Sequence, residues 1–505
     1  MKGAGGAGER LGPAAYRPET GDRLKTMLRS TKIVATLGPA SSDPAVLEKM
    51  IRAGVDVARL NFSHGSADDH LKRADLVKDI ARKVGRTVAI MCDLQGPKIR
   101  IGKFKDGKIA LEAGSRFILD AECKLGDAER VGLDYKELPR DVEPGAVLLL
   151  DDGKIVLEVT EVRGEEVHTI ARHGGVLSNN KGINRQGGGL TAPALTPKDM
   201  EDVRTAAKLQ ADYLAVSFPK SGADMTIAKE LLRAAGGKAM LIAKIERAEA
   251  VTEAALLDIM NACDGIMVAR GDLAVEVGDA SVPALQKKMI RLAREHNKLT
   301  ITATQMMESM IDSPVPTRAE VSDVANAVLD GTDAVMLSAE SASGKYPVQT
   351  IEAMHRICFE AEQTQPVNLD QDFFDRVFSR VDQSIAMAAL FTAFHLKVKA
   401  IASLTESGST ALWMSRLNCG VPIYALTSQT HTRYRCALFR DVYPLIVDYV
   451  GHDREELLAE AERVLVDQGV VKQGDLIVLT IGEPIGKPGG TNTMKIVRVG
   501  EHLRG

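Results

Sequence analysis

Leu241-Ile-Ala-Lys-Ile-Glu246 and, one β/α unit later, Gly265-Ile-Met-Val-Ala-Arg-Gly-Asp272 both begin as apolar β-strands and end in charged residues. In a strand, residues two apart share a face, so Lys244 and Glu246 place an ammonium and a carboxylate side by side. Carboxylates at the ends of successive parallel strands can share a hard divalent cation, and a neighbouring lysine would face a bound phosphate. The two stretches predict a metal-assisted phosphoryl-transfer site; ordinary surface ion pairs at strand ends are the alternative.

The alternation of short apolar strands with amphipathic helices continues on both sides of these stretches. Helices are predicted at Pro44–Ala53, Pro197–Leu209 and Arg318–Leu329, among others, each between β-rich runs. About eight such units predict a closed (β/α)8 TIM barrel, the fold class being α/β. Chemistry in such a barrel lies at the carboxyl ends of the strands.

Two regions differ from this alternating pattern, and they divide the chain into domains. Residues 97–185 are rich in glycine and short strands, which predicts a small β-barrel lid domain inserted after the third barrel strand. Residues 358–505 predict an open α/β regulatory domain, and the barrel itself takes 30–96 and 186–357. The glycine- and alanine-rich start, residues 1–29, is predicted to be a flexible tail and not a signal peptide.

Composition excludes several classes of protein. The chain has 505 residues, a net charge of −4 and 26% charged residues, so nothing global attracts nucleic acid or an anionic membrane. No apolar run approaches the roughly 18 residues that span a bilayer. The six scattered cysteines form no metal-binding or disulfide pattern and favour reduced thiols in a cytoplasm.

Further strand ends carry polar residues that suit phosphate and cation binding. Val57-Ala-Arg-Leu-Asn-Phe-Ser-His-Gly65 offers Arg59, whose guanidinium can fork onto a phosphate, and the neutral oxygens of Asn61 and Ser63. Met91-Cys-Asp-Leu-Gln-Gly-Pro-Lys-Ile-Arg100 and Ile301-Thr-Ala-Thr304 end the third and seventh predicted strands. His64 could touch a nucleotide, although a lone histidine is more often a loop hydrogen-bonder.

These motifs, in this order, resemble the pyruvate kinase family. The resemblance rests on Thr31-Lys-Ile-Val-Ala-Thr-Leu-Gly-Pro-Ala40, Arg-Leu-Asn-Phe-Ser-His-Gly, Asp-Leu-Gln-Gly-Pro-Lys-Ile-Arg, Ala-Lys-Ile-Glu, Ala-Arg-Gly-Asp-Leu, Ala-Thr-Gln-Met and Pro316-Thr-Arg-Ala-Glu-Val-Ser-Asp-Val-Ala-Asn-Ala-Val-Leu-Asp-Gly331. It extends from about Thr31 to Val499 in unbroken order. Each motif is moderately specific, and the ordered set leaves little room for another family.

The resemblance implies a set of functional residues. Glu246 and Asp272 would hold Mg²⁺ or Mn²⁺, Arg59 and Lys244 the transferring phosphoryl group, and Thr304 with the N–H groups of Gly271 and Asp272 the substrate carboxylate. The monovalent-cation site would correspond to Asn61, Ser63, Asp93 and the carbonyl of Leu94. The nucleotide contacts would be Asn61, His64, Arg100 and, from the lid, Lys181.

Lys98 departs from the glutamate-bearing pattern Asp-Thr-Lys-Gly-Pro-Glu-Ile-Arg, in which potassium supplies positive charge between the substrates. Its ammonium changes the local charge by two units, so the chain resembles the lysine-bearing, bacterial-type subgroup that does not require K⁺. Lys98 is accordingly counted among the catalytic residues. A solvated lysine pointing away from the site is the alternative.

Leu404-Thr-Glu-Ser-Gly-Ser-Thr410 predicts an effector site in the regulatory domain. A strand here leads into a helix start, with hydroxyl and N–H donors for an anion; plain helix capping is the alternative. The family binds effector phosphates here, and Glu406 would repel a second phosphate, so a sugar monophosphate or AMP is expected. The predicted effector contacts are Thr405, Ser407, Gly408, Ser409 and Thr410.

The function implied is that of a cytoplasmic pyruvate kinase, which transfers phosphate from phosphoenolpyruvate to ADP and forms pyruvate and ATP. The family also implies a homotetramer. Another metal-dependent phosphoenolpyruvate or pyruvate barrel enzyme is the alternative, but it would lack the insert and need no ADP. A catalytically dead homologue would lack the metal pair or the lysine, and both are present.

Overall fold

The computed structural model describes residues 28–365, 378–448, 453–486 and 489–501. The predicted tail therefore lies outside the described residues except for its last two positions. Of these, Arg29 is buried and donates to the Asp56 carboxylate at 2.7 Å. Among the described residues, no helix has the length and apolar character needed to cross a membrane.

Eight parallel strands close into a barrel, as the sequence predicts. Their order around the barrel is β1, β16, β15, β14, β13, β12, β3 and β2. The strands are β1 Lys32–Thr36, β2 Val57–Asn61, β3 Ala89–Asp93, β12 Tyr213–Val216, β13 Met240–Ile245, β14 Gly265–Ala269, β15 Leu299–Ala303 and β16 Ala334–Leu337.

Helices surround this barrel, and several of them begin at a side-chain cap. The Asp43 side chain accepts hydrogen bonds from two N–H groups of the first turn of α1, and Thr196 forms a capping box with Asp199 at the start of α4. The helices are α1 Pro44–Ala53, α2 Ala67–Lys83, α4 Pro197–Leu209, α5 Gly222–Ala234, α6 Glu253–Ala262, α7 Arg270–Val277, α8 Val282–Glu295, α9 Arg318–Leu329, α10 Ala339–Ala342 and α11 Pro347–Gln363.

The segment between β3 and α4 is rich in strands, but its pairing differs from the closed barrel expected. Among its described residues, β11, β7, β8, β9, β5 and β6 form one six-stranded sheet, and β10 pairs with β4 in a separate ribbon. A core of its own, including Phe117 and Leu157, lies between them. The elements are β4 Lys108–Leu111, β5 Arg116–Asp120, β6 Arg130–Gly132, α3 Leu138–Asp141, β7 Val147–Leu150, β8 Ile155–Arg163, β9 Glu166–His173, β10 Gly175–Ser178 and β11 Ile183–Arg185.

The carboxyl-terminal part is an open five-stranded α/β sheet in the order β19, β18, β17, β20, β21, whose last strand is antiparallel. It packs on the amino-terminal end of the barrel, where Arg416 pairs with the buried Asp333 and Lys32 donates to the Val442 carbonyl at 2.7 Å. The opposite end stays open for chemistry. The elements are α12 Val381–Leu396, β17 Ala400–Leu404, α13 Ser409–Ser415, β18 Ile423–Thr427, α14 Thr430–Cys436, β19 Val442–Ile446, α15 Arg454–Asp467, β20 Leu476–Gly482 and β21 Thr491–Arg498.

Candidate active site

Lys244 lies at the centre of the polar groups at the open end of the barrel. Its Nζ lies 2.9 Å from Glu246 Oε1 and 3.3 Å from Asp93 Oδ1, and it donates to Ser217 Oγ at 2.7 Å. Burial acts to lower the pKa of Lys244, but the two carboxylates outweigh it and hold the pKa above its ordinary value. The side chain is therefore a fixed ammonium, only 13% exposed.

Asp93 joins this ammonium to a second cation. Its Oδ2 accepts a hydrogen bond of 2.6 Å from Arg59 Nε, and Arg59 also donates to Thr36 Oγ1 at 2.8 Å. Burial would raise the pKa of Asp93, yet Arg59 and Lys244 lower it below its ordinary value. The ends of β2, β3 and β13 thus hold two cations around one ionised, buried carboxylate.

Glu246 and Asp272 are the two carboxylates that the sequence predicts as metal ligands, and the Asp272 charge acts on Glu246. Glu246 is buried, and its Oε2 accepts a hydrogen bond of 2.9 Å from the Phe218 N–H. Burial, with a further contribution from the Asp272 charge, raises the pKa of Glu246 to about 7. Burial and a neighbouring negative charge both disfavour the ionised form of Glu246, and a nearby cation would stabilise that form. The two carboxylates therefore fit a divalent metal.

The described residues contain no group of three or more histidine, cysteine or acidic side chains arranged to hold a metal. Two carboxylates completed by substrate oxygens and water are typical of Mg²⁺ sites that serve phosphate chemistry. The donor set is therefore consistent with a metal that is shared with the substrate.

The end of β14 corrects one detail of the prediction. The strand stops at Ala269, and Arg270–Val277 is a helix, so Gly271 and Asp272 lie in its first turn instead of in the strand. Arg270 anchors this turn through two hydrogen bonds to Asp323, of 2.9 and 2.7 Å, and two to the Thr304 carbonyl, of 3.3 and 2.7 Å. The N–H groups of this helix start are directed toward the end of β15, where that of Gly271 donates to Thr304.

Thr304 follows β15 with a backbone φ of +66°, a left-handed conformation that is rare for a β-branched residue. Its Oγ1 accepts a hydrogen bond of 2.8 Å from the Gly271 N–H and donates to the Ala303 carbonyl. Strained residues of this kind cluster at functional sites. The structure thus brings Thr304 and Gly271, two of the residues expected to bind the substrate carboxylate, into direct contact.

The residues that correspond to the monovalent-cation site also lie together. Asn61 and Asp93 are register partners at the ends of β2 and β3. Asn61 Oδ1 accepts from the Ser63 N–H at 3.1 Å, and the Leu94 carbonyl accepts from Ser217 Oγ at 2.7 Å. The oxygens of Asn61, Asp93 and Leu94 therefore have protein partners in this conformation.

Lys98, predicted to be catalytic, is exposed and lines the same cavity as Asp272. The predicted nucleotide contacts are more dispersed, and His64 is exposed in the loop after β2. Arg100 pairs through its backbone with Gly182 at the base of the insert. Lys181 Nζ lies 2.7 Å from Asp151 Oδ1, so its ammonium forms an ion pair within the insert.

The predicted effector residues lie in the carboxyl-terminal sheet, at the other end of the molecule. Thr405, Ser409 and Thr410 line a cavity together with Glu406 and residues of the loop before β21. Thr410 Oγ1 lies 2.7 Å from Thr491 Oγ1 and ties the two loops together. Ser407 Oγ donates to Ser409 Oγ at 3.1 Å, and Gly408 N–H donates to Thr405 Oγ1 at 2.9 Å.

Sequence reasoning missed Ser217. This fully buried hydroxyl accepts from Lys244 and donates to the Leu94 carbonyl, so it links the central ammonium to the end of β3. Phe218, beside it, has a φ of +55° and gives its N–H to Glu246. Their position directly after β12 is the signal that could have identified them, because the neighbouring barrel strands also place polar groups of the site at their carboxyl ends.

Known proteins resemble the chain along almost its whole length. The family model "Pyruvate kinase, barrel domain" matches residues 28–351, and "Pyruvate kinase, alpha/beta domain" matches residues 383–497. Pyruvate kinase II of Salmonella typhimurium is 53% identical over 94% of the chain and 100% of its own length. Pyruvate kinases of Haemophilus influenzae (53%, over 91% of the chain and 97% of the relative) and Staphylococcus aureus (40%, over 94% and 81%) are also similar.

Proposed function

The chain belongs to the pyruvate kinase family, and from that premise we propose how its own residues transfer the phosphoryl group of phosphoenolpyruvate to ADP. The observation that carries the proposal is the Lys244 ammonium, held within 3.3 Å of both Asp93 and Glu246 at the open end of the barrel. An anionic, loose transition state needs fixed cations and positioning more than covalent help. The alternative of another barrel enzyme has no support in these relationships.

The family depends on a metal, and Glu246 with Asp272 is the pair suited to hold it as Mg²⁺ or Mn²⁺. When bound, such an ion neutralises charge on the phosphoryl oxygens and orients the substrate. Each Glu246 oxygen has one protein partner, Lys244 on Oε1 and the Phe218 N–H on Oε2, and each keeps a lone pair that could hold the metal. Lys244 is also held by Asp93 and Ser217, which would keep its charge directed to the substrate.

Arg59 and Lys244 hold the transferring phosphoryl group in this proposal. Both are fixed on Asp93 from opposite sides, so neither needs to reorganise as charge develops. Lys244 also stabilises the enolate that forms when the phosphoryl group leaves. Thr304 binds the substrate carboxylate with the N–H groups of Gly271 and Asp272, which replaces the present bonds of Thr304 to the Gly271 N–H and the Ala303 carbonyl. The Thr304 hydroxyl then relays the proton that converts the enolate to pyruvate.

The nucleotide binds between the barrel and the insert. His64 and Asn61 approach it from the loop after β2, Arg100 from the base of the insert, and Lys181 once the insert closes. Closure would exchange the Lys181–Asp151 ion pair for a contact with phosphate. This division of labour gives the insert, residues 97–185, the role of a lid on the barrel domain of residues 30–96 and 186–357.

Lys98 supplies the charge for which glutamate-bearing relatives use potassium. It lines the cavity that contains Asp272. Three of the monovalent-site equivalents, Asn61, Leu94 and Asp93, already have their oxygens on other protein groups, which are Ser63, Ser217 and Lys244 respectively. A fixed cation near this place repels a second one. The enzyme therefore works without added K⁺.

The carboxyl-terminal domain, residues 358–505, regulates the enzyme through the cavity lined by Thr405, Ser409 and Thr410, whose loop also contains Ser407 and Gly408. Glu406 lines this cavity and disfavours a second phosphate, so the effector is a sugar monophosphate or AMP. The family likeness supports a homotetramer and a cytoplasmic location.

A coupled assay tests the proposal. Pyruvate should form from phosphoenolpyruvate only when ADP and Mg²⁺ are both supplied, and Glu246→Gln and Asp272→Asn should each raise the Mg²⁺ concentration needed for half-maximal rate. Pyruvate formation without ADP would favour a different barrel enzyme. Unchanged Mg²⁺ dependence in both variants would refute the metal assignment.

A further inference from the structure

The first turn of α4 contacts two loops of the active site. Lys198 Nζ donates to the Phe62 carbonyl at 2.7 Å and pairs with Asp202 one turn further along the helix. Its neighbour Asp199 accepts the Gly96 N–H at 3.0 Å. Phe62 lies in the loop after β2, and Gly96 lies two residues before Lys98. One turn of helix therefore contacts the backbone of both loops.

Asp199 makes this turn a rigid support. It is fully buried, and its second carboxylate oxygen accepts hydrogen bonds from the Thr196 N–H at 2.8 Å and the Thr196 hydroxyl at 2.6 Å. Together with the reciprocal bond from the Asp199 N–H to Thr196 Oγ1, this is a complete capping box. The backbone of Lys198 is therefore fixed, although its side chain is 48% exposed.

Phe62 is held from three directions. Its N–H donates to the Asp93 carbonyl at 2.9 Å, and its buried ring packs against the His70 ring of α2 with centroids 4.5 Å apart. The third contact is the bond from Lys198 to its carbonyl. The first two contacts fix the strand end and the ring, and the third fixes the peptide that leads to Ser63 and His64.

We propose that Lys198 is a positioning residue that sets the conformation of the Asn61–Gly65 loop and through it the affinity for nucleotide. The inference rests on the proposed function, in which Asn61 and His64 contact ADP. Without the ammonium, the Phe62 carbonyl loses its partner and the following peptide can rotate. Of the groups proposed to bind phosphoenolpyruvate, Lys244, Gly271 and Thr304 lie at the ends of other strands. Arg59 lies three residues before Phe62 but is fixed independently by Asp93 and Thr36, so the effect falls on ADP.

Three variants test the role of Lys198. Lys198→Met removes the donor and keeps much of the stem; Lys198→Arg restores a cation; Lys208→Met makes the same change at an exposed position at the other end of α4. In Lys198→Met we expect the KM for ADP to rise about five-fold, because the loss of one partly exposed, charge-assisted hydrogen bond has an effect of about this size. The KM for phosphoenolpyruvate and the melting temperature should stay unchanged, Lys198→Arg should recover most of the loss, and Lys208→Met should match wild type.

Direct titration of the enzyme with ADP in the presence of Mg²⁺ gives a readout besides turnover. The Kd for ADP should rise by the same factor as the KM. Equal rises in both KM values, an unchanged KM for ADP, or the same effect from Lys208→Met would overturn the inference. His64→Ala separates this from the proposed function. If His64→Ala raises the KM for ADP but Lys198→Met does not, the positioning role fails and the nucleotide site stands; if neither does, the nucleotide assignment itself is wrong.

Discussion

Replacing Lys244 by methionine is the strongest single test of the mechanism. The substitution removes an ammonium that lies 2.7–3.3 Å from Ser217, Glu246 and Asp93 and that we propose holds the transferring phosphoryl group. Loss of one preorganised electrostatic group lowers kcat by roughly 10²- to 10³-fold. The rate is measured by coupled pyruvate formation at saturating phosphoenolpyruvate, ADP and Mg²⁺.

The same change should also affect stability, because it leaves two buried carboxylates with less compensation. Asp93 keeps Arg59, and Glu246, whose pKa is already raised to about 7, can take up a proton instead. We therefore expect a loss of about 3 kcal/mol, the lower end of the cost of breaking a buried ion pair. The loss should grow above neutral pH, where a proton on Glu246 is harder to keep.

Lys244→Arg is the matched control, since it keeps the charge but changes its position. It should recover most of the stability and little of the activity, because catalysis depends on where the charge lies. A Lys244→Met enzyme that is folded at the assay temperature and retains kcat within about three-fold of wild type would refute the reasoning, since a preorganised group contributes far more than this.

Three further outcomes are expected. The wild-type initial rate with and without roughly 0.1 M KCl at matched ionic strength should be nearly equal, and Lys98→Glu should create a potassium requirement or abolish activity; tenfold or greater stimulation of wild type would contradict this. Glucose 6-phosphate, ribose 5-phosphate or AMP should activate at subsaturating phosphoenolpyruvate, and strong activation by fructose 1,6-bisphosphate alone would count against the role of Glu406. Burial and the neighbouring Arg29 lower the pKa of His355 from 6.5 to about 4. Between pH 6.5 and 4 the unfolded chain therefore binds a proton that the folded chain does not. The free energy of unfolding falls as the pH drops through this range, by at most about 3 kcal/mol. His355→Gln should flatten the pH dependence of the melting temperature between those two pH values, and equal slopes for variant and wild type would exclude this histidine as the cause.

The sequence by itself determined the barrel and most of the charged residues at its open end. Caps such as Asp43 and Thr196, and the apolar periodicity that follows them, are local signals, and the helices Pro44–Ala53 and Pro197–Leu209 begin and end where these signals predict. Parallel strands must present their carboxyl ends on one side of a closed barrel, so the strand-end positions of Arg59, Asp93 and Lys244 already implied a common site.

Only the tertiary structure decided how those groups interact. The helix that starts at Arg270 has no capping side chain, so the sequence did not predict it. This helix changes the surroundings of Gly271 and Asp272. The contact of Ser217 with Lys244 and that of Lys198 with Phe62 join residues 27 and 136 positions apart. Such contacts depend on how closure of the barrel brings distant loops together, and a hydrogen bond requires a precision of a few tenths of an ångström that no local sequence pattern encodes.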